Sequence, residues 1–289
     1  MTTTNRGRPV IVGIDASQHA ARAADWAAAE AVERGLPLHV IHALDFDPGS
    51  ALIGPGADGV TDPSHAIHAR LLAQVEYRLR AVHPDLFLTS ELSHEGAAGA
   101  LVAASREAEL LVLGTRGRGG FAGLPLGSVS LRVAAHTHCP AVFVRARGHE
   151  DARVGEIVLG VEHGESEEAV LFAFEEAARA GVGVRAVRAW APYPPNSPYI
   201  SDTDYLARLA ADDVVAIVHS ARDKFPDVPF KLSVLRGHPA AVLADASREA
   251  RLTVVGAHRR RGPLSLGVGP VIHGLLAQAQ SPVAVVPLS

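Results

Sequence analysis

Lysine is almost missing from this chain: only Lys224 and Lys231 occur, and all other basic charge is arginine. Any mechanism that needs a phosphate-bound or Schiff-base lysine therefore has very few places to reside. Cysteine is scarcer still. Cys139 stands alone, so no intrachain disulfide can form, and the composition fits a reducing, cytoplasmic compartment. No excess of positive charge is present either. A formal net charge of −4 and a pI near 6.4 argue against the basic field that sequence-independent nucleic-acid binding requires. No apolar run approaches the roughly 18 residues of a membrane span, and Met1 to Arg8 has no apolar stretch behind it, so neither a membrane segment nor a secretory leader is expected. Aromatic residues make up 5% of the chain. They are scattered, which leaves no stacking stripe for single-stranded nucleic acid, and Trp26 and Trp190 read as core or helix-packing residues.

What remains is rich in apolar residues, 48% of the 289, enough to bury one or two full cores. β-branched runs alternate with alanine-rich helical stretches, the rhythm of βαβ units around a parallel sheet covered on both faces. Strands are expected near Pro9–Ile14, Leu36–Leu44, Leu86–Leu92, Glu109–Gly114 and Ala141–Arg145. Helices are expected near Ser17–Arg34, Ser64–His83, Ala97–Ala108 and Gly127–His136. The stretch Phe46 to Pro63 is dense in Gly, Pro and Asp and reads as a covering loop or flap.

The second half repeats the first. Ala104–Gly114 reads ASREAELLVLG and Ala246–Gly256 reads ASREARLTVVG, identical at eight of eleven places. The run from Cys139 to Val144 is echoed from Ser281 to Val286 at the same spacing, so a whole domain is duplicated. The join falls near Ala146–Arg153, giving domains at 1–147 and 153–289. Val154–Leu159, Val184–Trp190, Phe230–Leu235, Leu252–Val255 and Val283–Val286 supply the second set of strands.

Chemistry concentrates after the fourth strand, where Gly114, Gly117, Gly119, Gly120, Gly123 and Gly127 punctuate a loop that feeds a helix start at Ser128. Glycines let the backbone approach a ligand closely, and the free N–H groups of a helix start attract anions. Phosphate is the natural occupant. Ser128 and Ser130 can add hydroxyls, and Arg116 or Arg118 charge-assisted contacts. A glycine loop also serves as a plain connection, so a second element matters. Asp15 ends the first strand at the carboxyl edge where this loop emerges, and ligands of open α/β sheets sit in that crevice. Its carboxylate can meet ribose hydroxyls or a phosphate-bound metal. Alternatively Asp15 or Ser17 simply caps the following helix, and both roles can coexist.

The spacing Gly114-x2-Gly117-x9-Gly127-Ser128 resembles the ATP-binding signature of the universal stress protein family. The Val-Gly-Ile-Asp-x-Ser opening, the Leu-His-Val-Ile-His second strand and the Cys-Pro-Ala-Val-Phe-Val last strand resemble it too. The resemblance implies an α/β, Rossmann-like fold of two tandem open parallel five-stranded sheets with strand order 3-2-1-4-5. Last strands commonly pair between domains in that family, which implies a pseudo-dimer inside the chain, and a homodimer of chains is expected. It further implies ATP with magnesium as cofactor. Gly13, Ile14 and Asp15 then meet ribose or metal, Ala43 after His42 lies against adenine, Gly114, Arg116 and Gly117 wrap sugar and phosphates, and Gly127, Ser128, Val129 and Ser130 hold the triphosphate.

The second copy departs from the pattern. Arg259 stands in place of Gly117, Pro270 and Ile272 replace Ser128 and Ser130, and Glu162 replaces Asp15, so a weaker, altered or absent nucleotide site is expected there. Arg259, Arg260 and Arg261 read as a solvated loop face that could still catch an anion. His136, His138 and Cys139 are weighed as a metal site and set aside for want of a fourth ligand. His65 and His68 read as solvent-facing. Neither a Gly-x-Ser-x-Gly elbow nor a Gly-x4-Gly-Lys-[Ser/Thr] loop occurs, and without a loop lysine or an evident base, fast ATP turnover is not expected. The function read from the sequence is an adenine-nucleotide-responsive regulator of stress or growth arrest acting on an unnamed protein partner, and not an enzyme. The alternatives are a slow ATPase or a nucleotidyl or phosphoryl transferase, and a structural pseudo-dimer without nucleotide.

Overall fold

A computed structural model describes residues 7–44, 63–117, 126–145, 155–162, 167–190, 203–257 and 267–288. The chain divides into two compact units, one formed by 1–133 with 137–139 and the other by 134–136 with 140–289.

In the first unit, β1 (Val10–Ile14), α1 (Gln18–Arg34), β2 (Leu38–Ala43), α2 (Pro63–Val82), β3 (Leu88–Ser93), α3 (Ala97–Ala104), β4 (Leu110–Gly114) and the start of α4 (Ser128–His136) follow one another. The strands lie side by side as β3-β2-β1-β4. They run parallel, with Val10 beside both Leu38 and Leu110. Val10, Val12, Leu38, Val40 and Leu110 to Val112 are wholly buried, as parallel strands covered on both faces must be. Helix α1 covers one face with a ridge of buried alanines: Ala20, Ala23, Ala24, Ala27, Ala28 and Ala31. This spacing keeps small side chains on one stripe of the helix, so the backbone sits close to the sheet. Ser17 caps its start by accepting from the Ala20 amide at 3.1 Å. Gly35 ends it in the left-handed conformation, φ 63°, with the Leu36 N–H returning to Ala31 O at 2.9 Å, a closure that glycine permits without strain.

The second unit comprises β5 (Ala141–Val144), β6 (Glu156–Gly160), α5 (Glu167–Ala180), β7 (Val184–Trp190), α6 (Thr203–Lys224), β8 (Phe230–Arg236), α7 (Pro239–Ala246), β9 (Ala250–Ala257), α8 (Pro270–Gln278) and β10 (Val283–Pro287). Its order is β5-β10-β9-β6-β7-β8. Read from β8 to β10, the second repeat has the 3-2-1-4-5 arrangement that the sequence resemblance implies. β5, the last strand of the first repeat, joins β10 antiparallel, with Phe143 opposite Val283 and Ala141 opposite Val285.

The duplication is visible in single hydrogen bonds. Ser105 donates to Val102 O at 2.7 Å and accepts from the His138 amide at 3.0 Å. Ser247 donates to Ala244 O at 2.6 Å and accepts from the Gln280 amide at 2.8 Å. Both hydroxyls are buried and fully used, which is what burial of a polar group demands. The same bracket shortens α3 relative to the span expected from its alanines: the helix ends at Ala104 because Ser105 caps it and the chain turns toward β4. β9 is longer than expected, beginning at Ala250 and reaching Ala257, where it runs beside β10 out to Pro287. The expected flap from Phe46 lies outside the described residues, except that Pro63 already begins α2.

Candidate functional site

At the carboxyl edge of β1, Asp15 is half-buried and divides its carboxylate between two tasks. Oδ1 accepts the Ser17 amide at 2.9 Å. Oδ2 faces Gly117, where a β-carbon would stand 2.5 Å away. Ser17, besides capping α1, donates its hydroxyl to Arg116 O at 3.3 Å. Asp15 and the glycine segment after β4 are thereby brought together at one edge of the sheet.

That segment is tied down at both ends. Buried Thr115 meets His19 Nδ1 at 3.0 Å through its hydroxyl, and its carbonyl accepts the Gly127 amide at 2.9 Å. Gly127 is the N-cap of α4 in extended conformation and supplies no side-chain cap, so the N–H groups of Ser128, Val129 and Ser130 form the first turn without helical acceptors. Ser128 is exposed, Val129 half-buried and Ser130 buried. The Ser130 hydroxyl donates to Gly114 O at 2.9 Å. A hydroxyl carries one hydrogen, so Ser130 offers a ligand its backbone N–H and a lone pair, which differs from the donor role expected of its side chain. Arg116 is exposed and engaged in an interaction of its own; Arg118 lies outside the described residues.

Several glycines here answer to packing. A β-carbon on Gly114 would meet the His19 backbone carbon at 2.8 Å, and one on Gly13 would meet Leu101 Cδ1 at 2.7 Å. Gly114 thus lets α1 approach β4, and Gly13 lets α3 approach β1. Ile14 is buried, and its carbonyl accepts from His42 Nδ1 at 2.9 Å.

His42, one residue before Ala43 at the end of β2, is a residue that motif reasoning passed over. Its Nδ1 donates to Ile14 O, and Nε2 lies within hydrogen-bond distance of His68 Nδ1 on α2, at 2.7 Å. His65 stacks against His94, with ring centroids 6.2 Å apart. The expectation that His65 and His68 face solvent is therefore corrected: both are half-buried, because the first turns of α2 pack over the end of β2. The sequence held one signal for this, a histidine next to the end of a strand whose neighbours Val40, Ile41 and Ala43 are apolar. Burial pushes the Cys139 thiol up to about 11, so at neutral pH it is a protonated core side chain, and Thr137 donates to its carbonyl at 2.7 Å.

A carboxylate and a helix start facing each other across a glycine segment can grip a polyphosphate and its counterion. The pattern also identifies the chain by comparison. The model of the universal stress protein family matches residues 7–145 and again 154–287. The chain belongs to the universal stress protein family. A universal stress protein of Mycobacterium tuberculosis is 31% identical over 297 residues, covering 99% of this chain and 98% of its own length. One of Mycolicibacterium smegmatis is 31% identical over 96% of both. Among solved structures, a universal stress protein of Archaeoglobus fulgidus shares the fold with a TM-score of 0.68 at 15% identity, over 97% of this chain and 98% of that one.

Within this universal stress protein the second unit presents a different edge. Glu162 follows β6, is exposed and is engaged in an interaction of its own. Gly269 caps α8 as Gly127 caps α4, with Pro270 as the first helical residue, so one backbone donor is absent from that turn. Arg259 to Arg261 lie outside the described residues. Trp190, expected in the core or in helix packing, stands half-buried at the end of β7 with the Arg236 guanidinium 6.0 Å from its ring centre. Among the described residues, no helix is long and apolar enough to cross a membrane.

Proposed function

We propose that the first unit binds ATP, with magnesium, in the crevice between Asp15 and the segment from Gly114 to Ser130, and that the protein acts as a nucleotide-responsive regulator. The observation that carries this reading is the approach of Asp15 Oδ2 to a Gly117 without a side chain. It opposes a carboxylate to a backbone that a ligand can approach closely. The N–H groups at the start of α4 then hold the phosphates, with Ser128 adding a hydroxyl from the exposed first turn. Arg116 adds charge at the rim. Asp15 Oδ2 meets the ribose or the metal, and Ala43 forms the floor under the base beside His42. ATP supplies only occupancy: by binding one arrangement of this segment better than another, it shifts the surface offered to a protein partner.

The regulatory reading, in preference to an enzymatic one, rests on the cations present. Both lysines lie in the second unit and are paired, Lys224 with Glu167 at 3.6 Å and Lys231 with Glu156 at 2.5 Å. The crevice beside Asp15 thus has no lysine with which to neutralise a transferring phosphoryl group. The test is a calorimetric titration of the full chain with ATP and magnesium, followed by recovery of the nucleotide. One intact ATP per chain is expected. Absence of binding overturns the site, and release of ADP at more than about one turnover per minute overturns the regulatory reading in favour of an ATPase.

A further inference from the structure

At one strand position the two repeats carry side chains of different chemistry, a histidine in the first and an arginine in the second. Ile157 pairs with Val184 as Val10 pairs with Leu38, so Arg188 on β7 occupies the station that His42 occupies on β2. It makes the same bond: Arg188 Nη1 donates to Val161 O at 3.1 Å, just as His42 Nδ1 donates to Ile14 O at 2.9 Å.

Beyond that bond the two sites part. His42 completes its hydrogen bonding with His68 on α2. Arg188 Nε is shielded from solvent and has no hydrogen-bond partner among the described residues. An N–H of a charged group left in this state is costly, and a guanidinium cannot relieve the cost by losing its proton. Because Nη1 is committed to Val161, the edge that remains is the one formed by Nε and Nη2. That edge grips a carboxylate or phosphate side-on with two parallel hydrogen bonds.

The neighbours suit an anion. Two residues further along β7, and therefore on the same face, is Trp190, and opposite it in register on β8 is Arg236. The guanidinium of Arg236 lies over the indole, which adds a second fixed positive charge and a flat wall. The corresponding residues of the first repeat are Leu44 and His94. Among the described residues, the exposed Glu162 follows β6 at the same edge.

We propose that the crevice of the second unit is a binding site for a small oxyanion, a carboxylate or a phosphate ester, held on the Nε–Nη2 edge of Arg188 beside the Trp190–Arg236 pair. The site is independent of the nucleotide crevice of the first unit, and the duplication has produced two ligand sites of different chemistry on one chain.

The full chain is titrated with inorganic phosphate and, separately, with succinate, by calorimetry and by the 1H–15N signal of Arg188 Nε. Saturable binding of either probe is expected, with a shift of that signal; phosphate binding assigns a phosphate ester and succinate binding a carboxylate. Arg188→Gln is expected to weaken binding by about 10-fold or more, the loss of a charge-assisted pair of hydrogen bonds. Arg188→Lys keeps the charge without the fork and is expected to weaken it by about 3- to 10-fold, which decides the matter should the glutamine variant fail to fold. Gly117→Ala is expected to leave the response of the Arg188 Nε signal unchanged, whatever phosphate it costs the crevice of the first unit. Failure of both probes to shift the Arg188 Nε signal, wild-type succinate or phosphate affinity at that site in Arg188→Lys, or loss of the signal's shift in Gly117→Ala overturns the proposal, and none of these outcomes depends on whether ATP binds.

Discussion

Gly117→Ala tests the first crevice most sharply. The new β-carbon would stand 2.5 Å from Asp15 Oδ2, about 1 Å inside ordinary van der Waals contact. Gly117 itself is exposed, and its backbone is not in the left-handed region, so the substitution adds no backbone strain. The clash is relieved by rotating Asp15, which sacrifices the 2.9 Å bond from the Ser17 amide to Oδ1. A half-exposed bond of this kind contributes about 1 kcal/mol, and the melting temperature is expected to fall by roughly 2–6 °C. The effect on ligand is larger. An Asp15 turned away from the crevice loses one charge-assisted contact, about 1.5–3 kcal/mol, and ATP affinity is expected to fall about 10- to 150-fold by calorimetry. If the alanine acts through Asp15, then Asp15→Ala alone costs a similar amount and the double variant costs no more than either single one, a coupling that a double-mutant cycle measures directly. Additive losses, or wild-type ATP binding by Gly117→Ala, refute the reasoning.

Further expectations concern the frame around the site. Ser130→Ala removes the buried donor to Gly114 O, so denaturant unfolding is expected to show a loss of about 1–2 kcal/mol, with ATP affinity changed less than about threefold because that hydrogen is already committed. Gly13→Ala forces a β-carbon against the buried Leu101 side chain and is expected to cost about 1–3 kcal/mol in the same assay. Cys139 ionises at 9.0 when unfolded and about 11 when folded. Its proton is held by both states below pH 9, and by the folded state alone between pH 9 and 11. Stability is therefore expected to decline through that window by up to about 2–3 kcal/mol, a slope that Cys139→Ala should abolish in pH-dependent melts.

The alternation of apolar runs and alanine-rich stretches was enough to locate the strands, because burial on both faces leaves little room for other residues. Local caps were equally legible: Ser17 and Gly35 carry their signals within a turn of the helix they bound. Contacts between distant segments were not. That Gly13 makes room for Leu101, and Gly114 for His19, depends on which helix crosses which strand. The contacts of His68 with His42 and of His65 with His94 join α2 to distant segments, so two histidines expected to face solvent are half-buried. The glycine signature indicated a phosphate site without showing that Ser130 spends its hydrogen on the main chain. Arg188 was invisible for a related reason: only the pairing of β6 with β7 aligns it with His42.

The confinement of lysine to Lys224 and Lys231 has a practical outcome. Acylation of side-chain amines, whether enzymatic acetylation or a laboratory cross-linker, can mark the second unit at two points and has no target on the side chains of the first. Signals written on lysine cannot be inscribed beside Asp15 itself. Proteomic mapping of that crevice calls for reagents directed at guanidinium or carboxylate groups.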